Sequence, residues 1–415
     1  MRSDRILLCK PRMCGREIDF IRDALAEDWA VPMGPDVTAF ENELGQVIGA
    51  ENVVALESGT SAIHLALIAC NVQPCDEVLV QSFTFCASTN PIKYLGATPI
   101  FIDSEEGSWN MDPELLETAI KDRIAKTGKK PKAIIPVALY GMPYKIDRIM
   151  EIVNHYDIPV IEDAAEGFCS RFNKKVLGTF GRLGVLSFNG NKMITTSGGG
   201  ALICPDKETA DKIKWYATQA RESYPYYQHE VVGYNYRLSN ISACIGRAQL
   251  TALPEYIAHH KHVQELYCEL LKDVKGITMH TNPGPEYDSN FWLCTATLDP
   301  DLKIKGQENA YKQVITGAVG GAAGVIHAAS SATTDCQPND NVEAIRMALD
   351  AANIEARPLW KPMHKQPVYR NNPAYTNGVS EALFKVGICL PAGPYVTDDD
   401  VRYIVDTLKA NIITE

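Results

Sequence analysis

The sequence predicts an α/β protein of two domains: a mainly parallel, seven-stranded sheet sandwiched by helices over residues 1–250, and a smaller α+β domain over residues 251–415. Three observations carry this expectation. A chain of 415 residues is longer than one hydrophobic core usually serves. Its first two thirds alternate β-rich apolar runs with helical patterns, as βαβ units covered on both faces do. After about residue 250 that alternation stops.

Seven runs read as strands of the sheet: NVVALES (52–58), EVLVQS (77–82), TPIFID (98–103), AIIPVA (133–138), PVIEDA (159–164), GVLSFN (184–189) and GALICP (200–205). The helical patterns SAIHLALIAC, CASTNPIKYL, PELLETAIKDRIAKT and KIDRIMEIVNHY separate the first six. In the second part, a long helix is expected from Pro254 through EYIAHHKHVQELYCELLKDV. Short strands follow in FWLCTATLD and near IEARPLW, and DDDVRYIVDTLKANI closes the chain as a helix. The stretch 315–340 is rich in small residues, lacks apolar periodicity and reads as a loop or loosely packed excursion.

Composition removes several function classes. Hydrophobic residues at 46 % and charged residues at 22 % describe a soluble globular protein. A net charge of −11 argues against a nucleic-acid partner, which would need a basic patch. The N-terminus, MRSDRILLCKPRMC, does not read as a signal peptide. No apolar run approaches the roughly 20 residues of a spanning helix. A cytoplasmic protein without membrane contact is expected. The 12 cysteines include no C-x-x-C pair, so buried free thiols are expected rather than disulfides or zinc. His259, His260 and His262 lack accompanying ligands and read as a solvated helix face, so no metal is expected.

Four segments carry chemistry. In PVIEDAAEG an apolar strand ends at Glu162-Asp163, and a carboxylate there points into a ligand crevice or caps a helix; the segment alone does not choose. In GVLSFNGNKMITTSGGGAL a strand ends at Ser187 and Lys192 follows in a Gly/Asn-rich turn. Desolvation there would make the amine a nucleophile toward an aldehyde, although turn lysines are more often exposed. In ALESGTSAIHLAL the turn Ser58-Gly59-Thr60-Ser61 opens a helix, either as an anion site or as an ordinary cap. In QSFTFCAST, Phe83 reads as core and Phe85 as a possible cover for a planar ring. Together these segments provide an amine, a carboxylate, an anion cradle and a ring cover, the set that pyridoxal phosphate needs.

SGTSA, SFTF, IEDAAE, LGTFGRLGVLSFNGNKMITTSGGGA and GYNYRLSN resemble the sugar-aminotransferase family of fold-type I pyridoxal-phosphate enzymes, over nearly the whole chain. RPLWKPMHKQPVY (357–369) and GICLPAG (387–393) resemble the members that form UDP-4-amino-4,6-dideoxy-N-acetylglucosamine for N-acetylbacillosamine. The resemblance implies that Lys192 is the Schiff-base lysine and proton shuttle, and that Asp163 holds the pyridinium nitrogen protonated. It implies that Glu166 meets the phenolic oxygen of pyridoxal 5'-phosphate. Gly59, Thr60, Ser61 and Ser187 would hold the phosphate and Phe85 would stack on the ring. Asn235 would reach the phosphate of the neighbouring subunit's cofactor, which requires a homodimer with shared sites. Trp29 and Pro32 in WAVPMG, and Trp360, Lys361 and His364 in LWKPMH, would line the substrate cleft; core packing is the rival reading for both tryptophans. The implied reaction moves the amino group of L-glutamate to C4 of a UDP-linked 4-keto-6-deoxy sugar. Rivals are a transaminase for another nucleotide-linked keto sugar (C3-keto, or GDP- or dTDP-linked), a pyridoxamine-dependent sugar dehydratase, against which Lys192 counts, and a non-catalytic relative.

Overall fold

The computed structural model describes residues 4–311 and 336–413. The expected excursion at 315–340 lies mostly outside the described residues.

All seven expected strands form: β1 (Val53–Leu56), β2 (Glu77–Gln81), β3 (Thr98–Ile102), β4 (Ala133–Ile135), β5 (Ile161–Asp163), β6 (Leu183–Ser187) and β7 (Gly200–Ile203). β3, β2 and β4 pair in parallel, as do β5 and β6. Parallel bridges Ile134–Val160 and Val137–Asp163 join the two groups into one sheet. Only β7 runs against its neighbours, between β6 and β1. The side-chain alternation of a strand serves two cores. Ala55, Leu79, Ile100 and Ile134 face Phe40, Leu44, Ile120 and Ile149. Val54, Val80, Phe101 and Ile135 face Ile63, Leu67 and Ile213. Both faces are covered, so the strands are apolar throughout.

A second sheet is antiparallel, in the order β8 (Ile277–Met279), β9 (Cys294–Leu298), β12 (Gly387–Leu390), β10 (Arg357–Pro358). Its core joins Ala296, Ile388 and Leu390 to Val263, Tyr267, Ile345, Leu349, Ile404 and Leu408. Two segments cross between the halves. Ile6 enters this second core and bridges Ile354. β11 (Ala374–Tyr375) adds in parallel to the free edge of β3. The division expected at residue 250 falls inside the helix Asn240–Leu271.

Three local expectations need correction. The long helix starts at Asn240, not Pro254; Ser239 caps it through the Ser242 N–H, and Pro254 lies inside. The pattern CASTNPIKYL forms a short turn at Cys86–Ser88 and one helical turn at Asn90–Tyr94, Pro91 falling among the first helical residues. The histidines do not share a solvated face. His260 is buried with Nδ1 3.1 Å from the Phe291 carbonyl oxygen, and burial pushes it down to about 4. His262 is exposed and pairs with Asp398 at 2.8 Å. Among the described residues, no helix is long and apolar enough to cross a membrane.

Candidate active site

The carboxyl ends of β5 and β6 and the start of the helix Gly59–Ala69 converge on a cavity of about 330 Å³. In parallel sheets this is where side chains leave the core and meet ligand. Gly59, Thr60, Phe85, Asp163, Glu166, Ser187, Lys192 and Trp360 all line it.

Asp163 is the last residue of β5 and is buried. Its Oδ2 accepts a 2.6 Å hydrogen bond from Ser88, and its Oδ1 accepts one from the Ala165 N–H at 3.2 Å. Ser88 is itself paired with Thr84 at 2.7 Å. Burial raises the Asp163 carboxyl above its ordinary range, while Ser88, the Ala165 N–H and the Lys192 charge pull it back. A carboxylate held in one orientation in this way can charge-pair with a cationic ring nitrogen.

Lys192 follows β6 in the exposed turn Asn189–Asn191 and turns its side chain inward, leaving it 12 % exposed. Nζ donates to Glu166 Oε1 at 3.0 Å and stands 4.1 Å from the centre of the Trp292 ring. Glu166 Oε2 accepts from the Tyr140 N–H at 2.8 Å. Burial raises the Glu166 carboxyl, and Lys192 is the chief opposing influence. Tyr140 holds this position with a left-handed backbone (φ 54°), and its hydroxyl accepts from the Trp360 N–H at 2.9 Å.

The anion cradle is the first turn of the Gly59–Ala69 helix. Ser58 caps it by accepting from Ser61 N at 3.0 Å. The Gly59 and Thr60 amides belong to the first turn, which has no intrahelical acceptors. Close approach holds the cradle in shape: a Cβ on Gly200 would stand 2.5 Å from Gly59 N, and one on Gly59 would stand 3.2 Å from Ser187 Cβ. Above the cavity, Phe85 is exposed and tilted against Trp360, ring centres 5.5 Å apart.

Several expected residues stand elsewhere. Ser61 does not line the cavity; its N–H is taken by Ser58 and its hydroxyl donates to Glu57 at 3.1 Å. Lys361 and His364 are also outside it. His364 Nδ1 lies 2.6 Å from the hydroxyl of buried Ser82, which draws the ring toward the sheet. Trp29 and Pro32 are exposed in the segment before the helix Pro35–Ile48 and do not reach the cavity. Asn235 is exposed, its Oδ1 accepting from Gln219 Nε2 at 3.0 Å, and it too is outside. Phe83 is core, as expected. The sequence reading missed Thr84, Ser88, Tyr140 and Trp292. For Ser88 the only signal was its place at a strand–helix junction; Trp292 had none, being read as part of a strand.

The residues present fit pyridoxal phosphate. The cavity joins an anion cradle at one side, a buried carboxylate at another, and an amine held within hydrogen-bonding distance of a second carboxylate.

The chain matches the profile of the DegT/DnrJ/EryC1/StrS aminotransferase family over residues 11–319 and 307–409. It is 42 % identical over 411 residues to EpsN of Bacillus subtilis (strain 168), covering 97 % of this chain and 95 % of EpsN, whose own assignment as a pyridoxal-phosphate-dependent aminotransferase is provisional. It is 30 % identical to the GDP-perosamine synthase of Escherichia coli O157:H7, covering 96 % of each. Among solved structures, a DegT DnrJ EryC1 StrS aminotransferase from Brucella abortus superposes with a TM-score of 0.80 at 27 % identity, covering 95 % of each chain.

Proposed function

The chain belongs to the DegT/DnrJ/EryC1/StrS aminotransferase family, and from that premise we propose that it transfers the amino group of L-glutamate to C4 of UDP-2-acetamido-2,6-dideoxy-α-D-xylo-hexos-4-ulose. The fold is that of the fold-type I enzymes, and the cofactor is pyridoxal phosphate. The observation that supports aminotransfer is Lys192 Nζ at 3.0 Å from Glu166 in a cavity that also holds Asp163 and the Gly59–Thr60 cradle. The likeness of RPLWKPMHKQPVY and GICLPAG to enzymes of N-acetylbacillosamine synthesis supports the choice of sugar.

When bound, pyridoxal phosphate supplies a carbonyl that exchanges amino groups and a ring that accepts electrons. The protein's residues do the rest. The Gly59 and Thr60 amides and the Ser187 hydroxyl bind the phosphate. Asp163, fixed by Ser88, holds a proton on the ring nitrogen. Lys192 would hold the cofactor through its amine, and the same Nζ would take or give the proton at the substrate carbon that bears the nitrogen. Glu166 accepts from Nζ and so keeps the amine over the cavity. Phe85 and Trp360 cover one side and exclude water. Asn235 serves the partner subunit's cofactor in a homodimer, which is in keeping with its exposed place outside its own cavity.

The second reading is another nucleotide-linked keto sugar, favoured for a GDP-linked one by the likeness to GDP-perosamine synthase. One experiment separates them. The enzyme is incubated with glutamate and a panel of UDP-, GDP- and dTDP-linked 3-keto and 4-keto sugars, and each amino sugar is identified by mass and NMR. Turnover should be highest with the UDP-linked 4-keto substrate. Preference for a GDP-linked or a 3-keto sugar overturns the proposal and leaves the class intact.

A further inference from the structure

Lys192 stands in a turn that has little to hold it. Asn189 and Asn191 are exposed, and within the turn the backbone is tied by the Lys192 N–H to the Asn189 carbonyl at 2.9 Å. The Gly190 N–H adds a bond to Asn189 Oδ1 at 2.9 Å, and a further restraint comes from 101 residues away. Trp292 Nε1 donates to the Asn191 carbonyl at 2.6 Å, and the face of the same indole stands under Lys192 Nζ. Trp292 is in turn fixed by its own N–H, which donates to Asn290 Oδ1 at 2.9 Å. Asn290 is buried, and its Nδ2 donates to the Glu166 carbonyl at 2.8 Å. Glu166 closes the circuit by accepting from Nζ. Glu166, Asn290, Trp292, Asn191 and Lys192 therefore form a ring of contacts with the reactive amine as one member.

We propose that Trp292 is a positioning residue for Lys192, setting from the C-terminal half of the chain where the amine stands over the cavity. A tryptophan placed only to fill the core beside Leu139, Tyr140 and Leu359 would not need to aim both its N–H and its face at one turn. The indole does two separable things. Its N–H fixes the carbonyl just before the lysine, and its face attracts the ammonium. A second donor reaches the same carbonyl, Cys9 Sγ at 3.1 Å, and packing around it pushes the thiol up to about 12, so the group keeps its hydrogen.

The proposal rests on Lys192 being the residue that bonds the cofactor, and its test contains a control for that. Two ligands distinguish aim from shape: pyridoxal phosphate is captured covalently by the lysine, whereas pyridoxamine phosphate fills the same cavity without that bond. Cofactor-free full-length protein is mixed with each. Covalent capture is followed by absorbance and borohydride trapping, and pyridoxamine phosphate affinity by calorimetry. Trp292→Phe keeps an aromatic face and loses the N–H, so capture should fall about three- to tenfold. Trp292→Leu loses both, and capture should fall about ten- to a hundredfold. Pyridoxamine phosphate affinity should stay within about twofold for both, since about 0.4 kcal/mol separates a twofold change. A parallel loss of both ligands would make Trp292 a wall of the cavity and overturn the proposal. Unchanged capture in Trp292→Phe would overturn it as well, even where Trp292→Leu fails to fold. Lys192→Ala, run beside them, should trap no cofactor; trapping in that variant would instead sink the role of the lysine.

Discussion

At the scale of single residues, Asp163 shows how a functional group can work against the fold that holds it. Burial raises its carboxyl above the ordinary value of 3.8. The native state therefore binds that proton more tightly than the unfolded chain does. The stability this contributes is complete below about pH 3.8 and is lost as pH rises through the folded value. Asp163→Asn keeps the shape, can still accept from Ser88, and carries no charge to bury. Cofactor-free Asp163→Asn should melt at or above the wild-type temperature at pH 7, with the advantage shrinking toward pH 4. A variant that melts clearly lower at pH 7 would mean that the Ser88 and Ala165 hydrogen bonds outweigh desolvation. Function should move the other way. Without the charge the ring nitrogen loses its proton, and the glutamate half-reaction should slow by more than about tenfold, about 1.4 kcal/mol of barrier. A smaller loss in stopped-flow absorbance would remove Asp163 from that role.

At the scale of elements, the phosphate cradle depends on two backbones that nearly touch. Gly200 opens β7, and a Cβ there would stand 2.5 Å from both Gly59 N and Ser58 C. Both neighbours are backbone, so neither can swing aside. Gly200→Ala should cost about 1–3 kcal/mol of stability and weaken pyridoxal phosphate binding more than any alanine placed on the exposed surface. Unchanged affinity in equilibrium dialysis would show that the helix start adapts. This element also shows what was legible in advance. Asp163 and Ser187 are legible in the chain because each ends a strand, and Gly59 and Lys192 because each follows in a small-residue turn, where a local change of pattern marks the spot. Ser88 touches Asp163 across 75 positions and Trp292 touches Asn191 across 101, contacts that no local pattern encodes. The long helix begins fourteen residues before the expected Pro254, at a cap made by Ser239, and carries that proline in its interior. The family resemblance places Lys361 and His364 with Trp360 in the cleft, but the short turn Met363–Lys365 directs His364 to Ser82.

At the scale of the whole molecule, the exposed Asn235 makes a prediction about assembly. A hydrogen bond to a charged phosphate contributes roughly 1.5–3 kcal/mol, so Asn235→Ala should weaken cofactor affinity about ten- to a hundredfold. Subunit mixing is sharper. In the proposed homodimer, the Lys192→Ala protein should be dead and the Asn235→Ala protein limited by cofactor loss. If Asn235 serves the neighbouring site, a hybrid carries both defects in one site and neither in the other. Activity at limiting pyridoxal phosphate should then return on mixing, and its absence from verified hybrids would leave Asn235 working within its own subunit or not at all. The course of the chain has a consequence of another kind. The outer edge of the large sheet is closed by β11: the carbonyls of Tyr375 in that strand and of Pro373 just before it accept hydrogen bonds from the Asp103 and Phe101 N–H groups. A nascent chain emerging from the ribosome builds the first seven strands long before that edge strand exists. Until residue 375 is out, β3 presents a bare row of amides and carbonyls that any other growing chain could pair with. Premature termination between 205 and 373 should therefore yield product that sediments as aggregate, since residues 373–375 are what cover that edge.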